Sequence, residues 1–166
     1  MTKTKTSNSS NHEWYFEDYK QDAVIEIGTI QVEEEEILEF ALRYDPQPIH
    51  IDPEAAKKGP YKGLIASGWQ TCAFVMRAMV ENYFSPSSSL GSPGIDELRW
   101  LKPVRPGDRL TVRATILETK RSRSKPDRGI VTTLVEAENQ QQEKVLSFKG
   151  LNFMLCREFS ADKPFD

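Results

Sequence analysis

Two residues of this chain have the types and the spacing for acid-base chemistry: Asp45 and His50, within Tyr44-Asp45-Pro46-Gln47-Pro48-Ile49-His50. There are two histidines in 166 residues, and His12 lies in a polar terminal stretch, so histidine chemistry falls on His50. An unperturbed Asp carboxyl titrates near about 3.9 and an imidazole near about 6.5, so at neutral pH the pair joins an ionised carboxylate to a ring that can take or give a proton. Pro46 and Pro48 stiffen the backbone between them, and a stiff segment aims an acid and a base at one point with little ordering entropy left to lose in the reaction. The same spacing also fits a plainer arrangement, a helix end with a proline turn in which Asp45 caps backbone and His50 is a satisfied polar residue.

The elements that must hold this pair follow from periodicity. Ile37, Phe40, Ala41 and Tyr44 recur at helical spacing, and Glu33 to Glu36 sit where a helix N-terminus favours negative charge, predicting a helix from Glu33 to about Tyr44. Pro46 and Pro48 forbid its continuation, so Asp45 to His50 is expected to be an irregular, stiff loop. Ser67-Gly68-Trp69-Gln70 has the capping-box pattern, Ser67 accepting from the Gln70 N–H and Gln70 reaching back. It opens a second helix, Gly68 to Phe84, whose apolar stripe is wide enough for a helix largely wrapped by other structure. Alternating stretches at Val24–Ile30, Ile95–Leu101, Arg109–Thr119, Ile130–Ala137 and Val145–Cys156 read as strands. Long strands and one deeply wrapped helix predict an α+β fold, a curved antiparallel sheet around a central helix.

Length and composition suit one domain, since a chain of about 150 residues buries roughly 70% of its unfolded surface. Residues 1–12 are expected to be a disordered N-terminal tail, 13–158 the single folded domain and 159–166 a C-terminal tail. With 22 Lys and Arg against 25 Asp and Glu, net −3, there is no basic surplus of the kind nucleic acid or anionic membranes attract. No apolar run approaches the roughly 20 residues of a membrane span. Cys72 and Cys156 are too few and too far apart for a disulfide scaffold or structural zinc, and a reducing cytoplasm is the expected setting. Charge is uneven: Glu13 to Glu54 carries 13 acidic and two basic residues, Arg99 to Arg128 ten basic and three acidic. The basic stretch could meet an anionic small molecule, or both sets could lie on solvated faces or oppose each other across a subunit contact.

Tyr44 to His50, then Ile51-Asp52-Pro53-Glu54-Ala55-Ala56, then Gly63-Leu64-Ile65-Ala66-Ser67-Gly68-Trp69, resemble the hydratase motif of the MaoC-like dehydratase family, which includes the (R)-specific enoyl-CoA hydratases. That motif runs Asp, any residue, Asn, Pro, aliphatic, His, and this chain departs from it with Gln47 in the Asn place. Tyr15-Phe16-Glu17-Asp18, and Leu101-Lys102-Pro103-Val104 followed by Pro106-Gly107-Asp108, also match the family's usual beginning and its inter-strand turn. The resemblance covers roughly Trp14 to Cys156. It implies a hotdog fold, a long central helix wrapped by an antiparallel sheet and paired into a homodimer. It also implies an acyl-CoA thioester substrate, and no cofactor, because coenzyme A enters as part of the substrate. Asp45 and His50 take the catalytic places, and a backbone N–H near Gly68 the place that holds the thioester carbonyl.

The chemistry has a physical basis in these residues. Hydration of a 2-enoyl thioester needs a base for water, an acid for the α carbon and a donor for the enolate oxygen. A helix N-terminus supplies such a donor, and Gly68 has no side chain to block the approach. Ser67 can be an N-cap or a substrate-orienting donor. Gln47, with its longer amide, either keeps the loop's hydrogen bonds or alters what the pocket accepts. The segment Lys120 to Arg128 is a solvated hairpin loop or a clamp for the phosphates of coenzyme A. Asp45, His50 and Asp52 are a weak metal set, and no metal is expected. The competing readings are an acyl-CoA thioesterase on the same fold and a non-catalytic acyl-CoA-binding module.

Overall fold

A computed structural model describes residues 13–160; the expected N-terminal tail and residues 161–166 of the expected C-terminal tail lie outside the described residues. A short 3-10 turn (Phe16–Asp18) leads into β1 (Val24–Gln31), α1 (Glu34–Tyr44), α2 (Pro48–Ile51), α3 (Pro53–Lys58) and α4 (Gly68–Asn82). Four strands follow, β2 (Gly94–Trp100), β3 (Arg109–Arg121), β4 (Arg128–Glu138) and β5 (Lys144–Leu155), and a second 3-10 turn, Arg157–Phe159. The strands form one antiparallel sheet in the order β1-β3-β4-β5-β2. This is the hotdog arrangement, a long helix lying on an antiparallel sheet.

Strict alternation in the long strands sends one set of side chains to the helix layer and the other outward, as expected for an antiparallel sheet covered on one face. Leu110, Val112, Ala114 and Ile116 of β3 are fully buried, with Val131, Val135 and Ala137 of β4 and Leu146, Phe148 and Met154 of β5. Val75, Ala78 and Met79 of α4 and Ile37 and Ala41 of α1 close over them. Each fully buried Val, Leu or Ile contributes about 1.5–3 kcal/mol, so this layer fixes where α1 and α4 lie and therefore where their ends meet.

Two expectations change. The segment after α1 is not wholly irregular: Pro46 ends α1, but Pro48 occupies the first position of a new helical turn, where its fixed φ is favourable and its missing N–H has no helical partner to lose. The sheet covers only one side of α4. Trp69, Met76 and Val80 on its other side are 61%, 46% and 57% exposed, because a sheet on one face can bury only the residues that point at it. No helix among the described residues is long and apolar enough to cross a membrane.

Candidate active site

The C-terminus of α1, the single turn of α2 and the N-terminus of α4 meet at one place. Asp45 leaves the helix with φ −151° and ψ 65° while its N–H still donates to the Ala41 carbonyl at 2.9 Å. Its carbonyl accepts from the Gln47 N–H at 2.8 Å, and the Gln47 carbonyl accepts from the His50 N–H at 2.8 Å. The prolines and these bonds hold the six residues from Asp45 to His50 as a fixed bracket. Opposite it, the Ile65 N–H donates to the Ile49 carbonyl at 3.2 Å, and the Ala66 N–H to the Val104 carbonyl at 2.8 Å, which anchors the approach to α4.

His50 is buried, and its Nδ1 lies 2.8 Å from the Ile65 carbonyl oxygen. A carbonyl can only accept, so Nδ1 carries a proton and the neutral ring has a bare Nε2. That Nε2 is 3.4 Å from Asp45 Oδ2, with the two side chains 7% and 19% exposed. The carboxylate is held at both oxygens: Ser67 Oγ donates to Oδ2 at 2.7 Å and Gln47 Nε2 to Oδ1 at 2.7 Å. These bonds, Gln47 first and Ser67 second, hold the Asp45 carboxyl below the usual carboxylate range. Partial burial opposes them, and His50 adds a smaller lowering. The outcome is an ionised carboxylate beside a bare imidazole nitrogen. Two acceptors facing one point suit a water that donates to both, or, once His50 is protonated, a direct N–H to oxygen bond.

Ser67 is the N-cap of α4, and its hydroxyl proton goes to Asp45. Its Oγ accepts from the Trp69 N–H at 3.3 Å as the α4 cap while donating to Asp45. The capping box does not form. Gln70 Nε2 donates instead to the Glu36 carbonyl at 2.7 Å, because α1 packs close enough to offer an acceptor that needs no backward bend. Gly68 is the first residue of α4, where backbone N–H groups have no intrahelical partner. The room its missing side chain leaves is not open space: a Cβ there would come within 2.4 Å of the Trp100 ring. Trp100 also meets Trp69 edge to face, with centroids 5.3 Å apart.

Asp45, His50, Gln47, Ser67 and Gly68 therefore come together. Two contributors were missed: the Ile65 carbonyl, whose sequence signal is its place three residues before the first residue of α4, and Trp100, which looked like an ordinary strand residue. Asp52 caps α3, accepting from Glu54 and Ala55 N–H groups at 3.0 Å each, and no group of three metal-ligating side chains exists among the described residues. The basic hairpin between β3 and β4 lies at the far end of β3, a strand of roughly 40 Å at about 3.3 Å per residue, whereas the dyad sits at the Arg109 end. Within one chain it does not reach this site. Its ion pairs within the basic stretch run to Glu143, Glu138, Glu158 and Asp127, none of them from the acidic stretch. Both cysteines are free, and burial raises both thiols, Cys156 to about 11, so neither is a ready thiolate.

Comparison with known proteins gives four findings. The family model described as the MaoC like domain matches residues 17–139. The uncharacterized protein YdeM of Bacillus subtilis is 33% identical over 127 residues, 76% of this chain and 87% of that protein. The 3-hydroxyacyl-thioester dehydratase Z of Mycobacterium tuberculosis is 30% identical over 111 residues, 66% of this chain and 74% of that protein. Among solved structures, the MaoC-like dehydratase from Rhodospirillum rubrum superposes with a TM-score of 0.81 at 36% identity, over 87% of this chain and 98% of that one.

Proposed function

We propose, from the premise that this chain belongs to the MaoC-like domain family, that it adds water to a 2-enoyl thioester, or removes it from the 3-hydroxyacyl product, with Asp45 and His50 as its acid-base pair. The observation that carries this is the convergence of His50 Nε2 and Asp45 Oδ2 at 3.4 Å, with Nδ1 committed to the Ile65 carbonyl. A related protein bears the name of a 3-hydroxyacyl-thioester dehydratase, which supports the same chemistry here.

The division of labour follows from the two environments. A carboxylate held below its ordinary range is a weak base and a good anchor, so Asp45 orients the water and stabilises the imidazolium that forms. His50 Nε2 takes one proton from the water as its oxygen bonds to the β carbon. The double-bond electrons move through the α carbon to the thioester oxygen, which the Gly68 N–H stabilises. Such an oxyanion donor is worth about 2.7–4 kcal/mol. His50 then returns its proton to the α carbon, and the enzyme ends as it began. Ser67 and Gln47 hold the carboxylate and so act as positioning residues.

Coenzyme A is the proposed carrier, and a second copy of the chain is the proposed partner. Trp69 of α4 and Trp100 of the edge strand β2 touch and are both largely exposed, alongside Met76, Val80, Ile95 and Leu101. An exposed apolar surface next to an unpaired strand edge is what subunit pairing covers. An active monomer at micromolar concentration would refute that pairing.

The test is a panel of trans-2-enoyl-CoAs of increasing length, following enoyl absorbance and free thiol together. Absorbance lost without thiol release is the expected result. Thiol release with the enoyl group intact would mean a thioesterase, and tight binding with neither change a binding module.

A further inference from the structure

The backbone N–H of Arg105 donates to Asp108 Oδ2 at 2.8 Å, but its side chain turns the other way and donates from Nη2 to the Tyr61 carbonyl at 2.6 Å. The guanidinium lies against Gly63, where a Cβ would stand 3.3 Å from Nη1. Arg105 is half-buried, and among the described residues no carboxylate pairs with its side chain. Pinning the loop to Tyr61 takes one neutral donor. A full charge held partly out of water with four further N–H groups to give is accounted for by an anion that comes to it. Lys62 stands between the two residues that the guanidinium touches and is exposed, and it too has no acidic partner among the described residues, whereas nearby Lys57 is paired with Glu54. This turn begins the segment that carries the site: Ile65 holds His50, Ser67 holds Asp45, and the Ala66 N–H bonds Val104, the residue before Arg105.

We propose that Arg105, with Lys62 beside it, binds the pyrophosphate of the coenzyme A carrier. The inference rests on the thioester reading above and assigns the anchor of its carrier, the role that Lys120 to Arg128 does not reach within one chain. The spacing suits it. Gly63 is five residues before Gly68, a stretch of at most about 18 Å. The pantetheine arm, about 13 bonds from sulfur to the first phosphorus against three bonds per residue of backbone, extends to roughly 15 Å. A thioester carbonyl at the Gly68 N–H and a phosphate at Arg105 are therefore within reach of one arm. Arg suits the task because its planar fork pairs with two phosphate oxygens, and the bond to Tyr61 orders the side chain before the ligand arrives. Lys62 adds charge to the same turn without a fixed geometry.

The experiment presents one trans-2-enoyl group on coenzyme A, on 3′-dephospho-coenzyme A, which keeps the pyrophosphate, and on pantetheine, which has no phosphate. Wild type, Arg105→Gln and Lys62→Gln are compared, with melting temperature recorded for each. The expected result is a kcat/KM lowered at least roughly tenfold in Arg105→Gln, and roughly threefold in Lys62→Gln, on both phosphate-bearing esters, with the pantetheine ester used equally by all three proteins. If Arg105→Gln does not fold, the exposed Lys62→Gln decides by the same pattern. A loosened loop would lower all three esters alike, and that outcome overturns the inference, as does a coenzyme A ester used unchanged by the variants. A loss on the coenzyme A ester but not on its dephospho form overturns the pyrophosphate assignment in favour of the 3′-phosphate. Each of these leaves the hydratase reading standing. Silence on every enoyl thioester overturns that reading instead, and calorimetric titration with coenzyme A and with pantetheine then decides this one. Coenzyme A bound about tenfold more weakly by Arg105→Gln, with pantetheine unchanged, upholds it, and equal binding of coenzyme A refutes it.

Discussion

Asp45 has both carboxylate oxygens occupied, by Ser67 and Gln47 at 2.7 Å each, while one turn into α4 Gln70 keeps a buried carbonyl oxygen with no donor among the described residues. On the dyad side space is equally full, with the Trp100 ring lying against Gly68; on the Gln70 side a cavity of about 600 Å³ opens. The contrast sets a carboxylate whose bonds are all closed beside a helix interface that leaves one amide oxygen unpaired. In the proposed reaction the carboxylate that orients the water must be fixed before substrate arrives, so its hydrogen bonds are closed within the protein.

The widest break in this comparison comes from removing the base while keeping its tether. His50→Asn can still donate to the Ile65 carbonyl but has no Nε2, and should lower kcat/KM for an enoyl thioester about 10²–10⁴-fold with the fold intact. Steady-state kinetics beside circular dichroism check it. Next comes space: Gly68→Ala, driving a methyl into Trp100, should destabilise by about 1–3 kcal/mol. The loss should be recovered in a Trp100→Ala background.

Ser67→Ala removes an N-cap and one carboxylate donor together. A stability loss of about 1 kcal/mol is expected from the cap, along with a kcat that falls more than KM changes. Gln47→Leu is the mildest: it removes an exposed amide, so stability should barely move, but Asp45 loses a donor and should titrate higher. The acidic limb of the kcat/KM profile assigned to Asp45 would then shift to higher pH than in wild type. Linkage gives the matching sign for folding. Because the folded Asp45 lies below its unfolded value of about 3.9, its stabilising effect is present above that pH and lost as pH falls through the folded value. The stability gap between wild type and a variant lacking this carboxylate should therefore close in acid.

What could be read from the amino-acid sequence was local. Asp45 and His50 stand out because two prolines lie between them, and the long strands because every second residue is apolar. What could not be read was set by packing between distant segments. Ser67 meets Asp45 across 22 residues, and Gln70 turns to Glu36 across 34, so a pattern written over four consecutive residues suggested a capping box that packing replaced. The apolar stripe of α4 showed which positions avoid water but not what would cover them, and one side stays exposed in the single chain. Pro48 marked a break in α1 and, less legibly, the start of the next turn, since the same ring serves both purposes.

The most direct test of the dyad is Asp45→Asn on an enoyl-CoA that the wild type turns over, with substrate affinity measured in parallel. The side chain keeps its size and can still bond Ser67 and Gln47, but it loses the charge that anchors the water and stabilises His50. The account predicts kcat reduced about 10²–10⁴-fold with affinity changed by only a few-fold. Turnover near the wild-type rate, or a loss explained entirely by weaker binding, would contradict it.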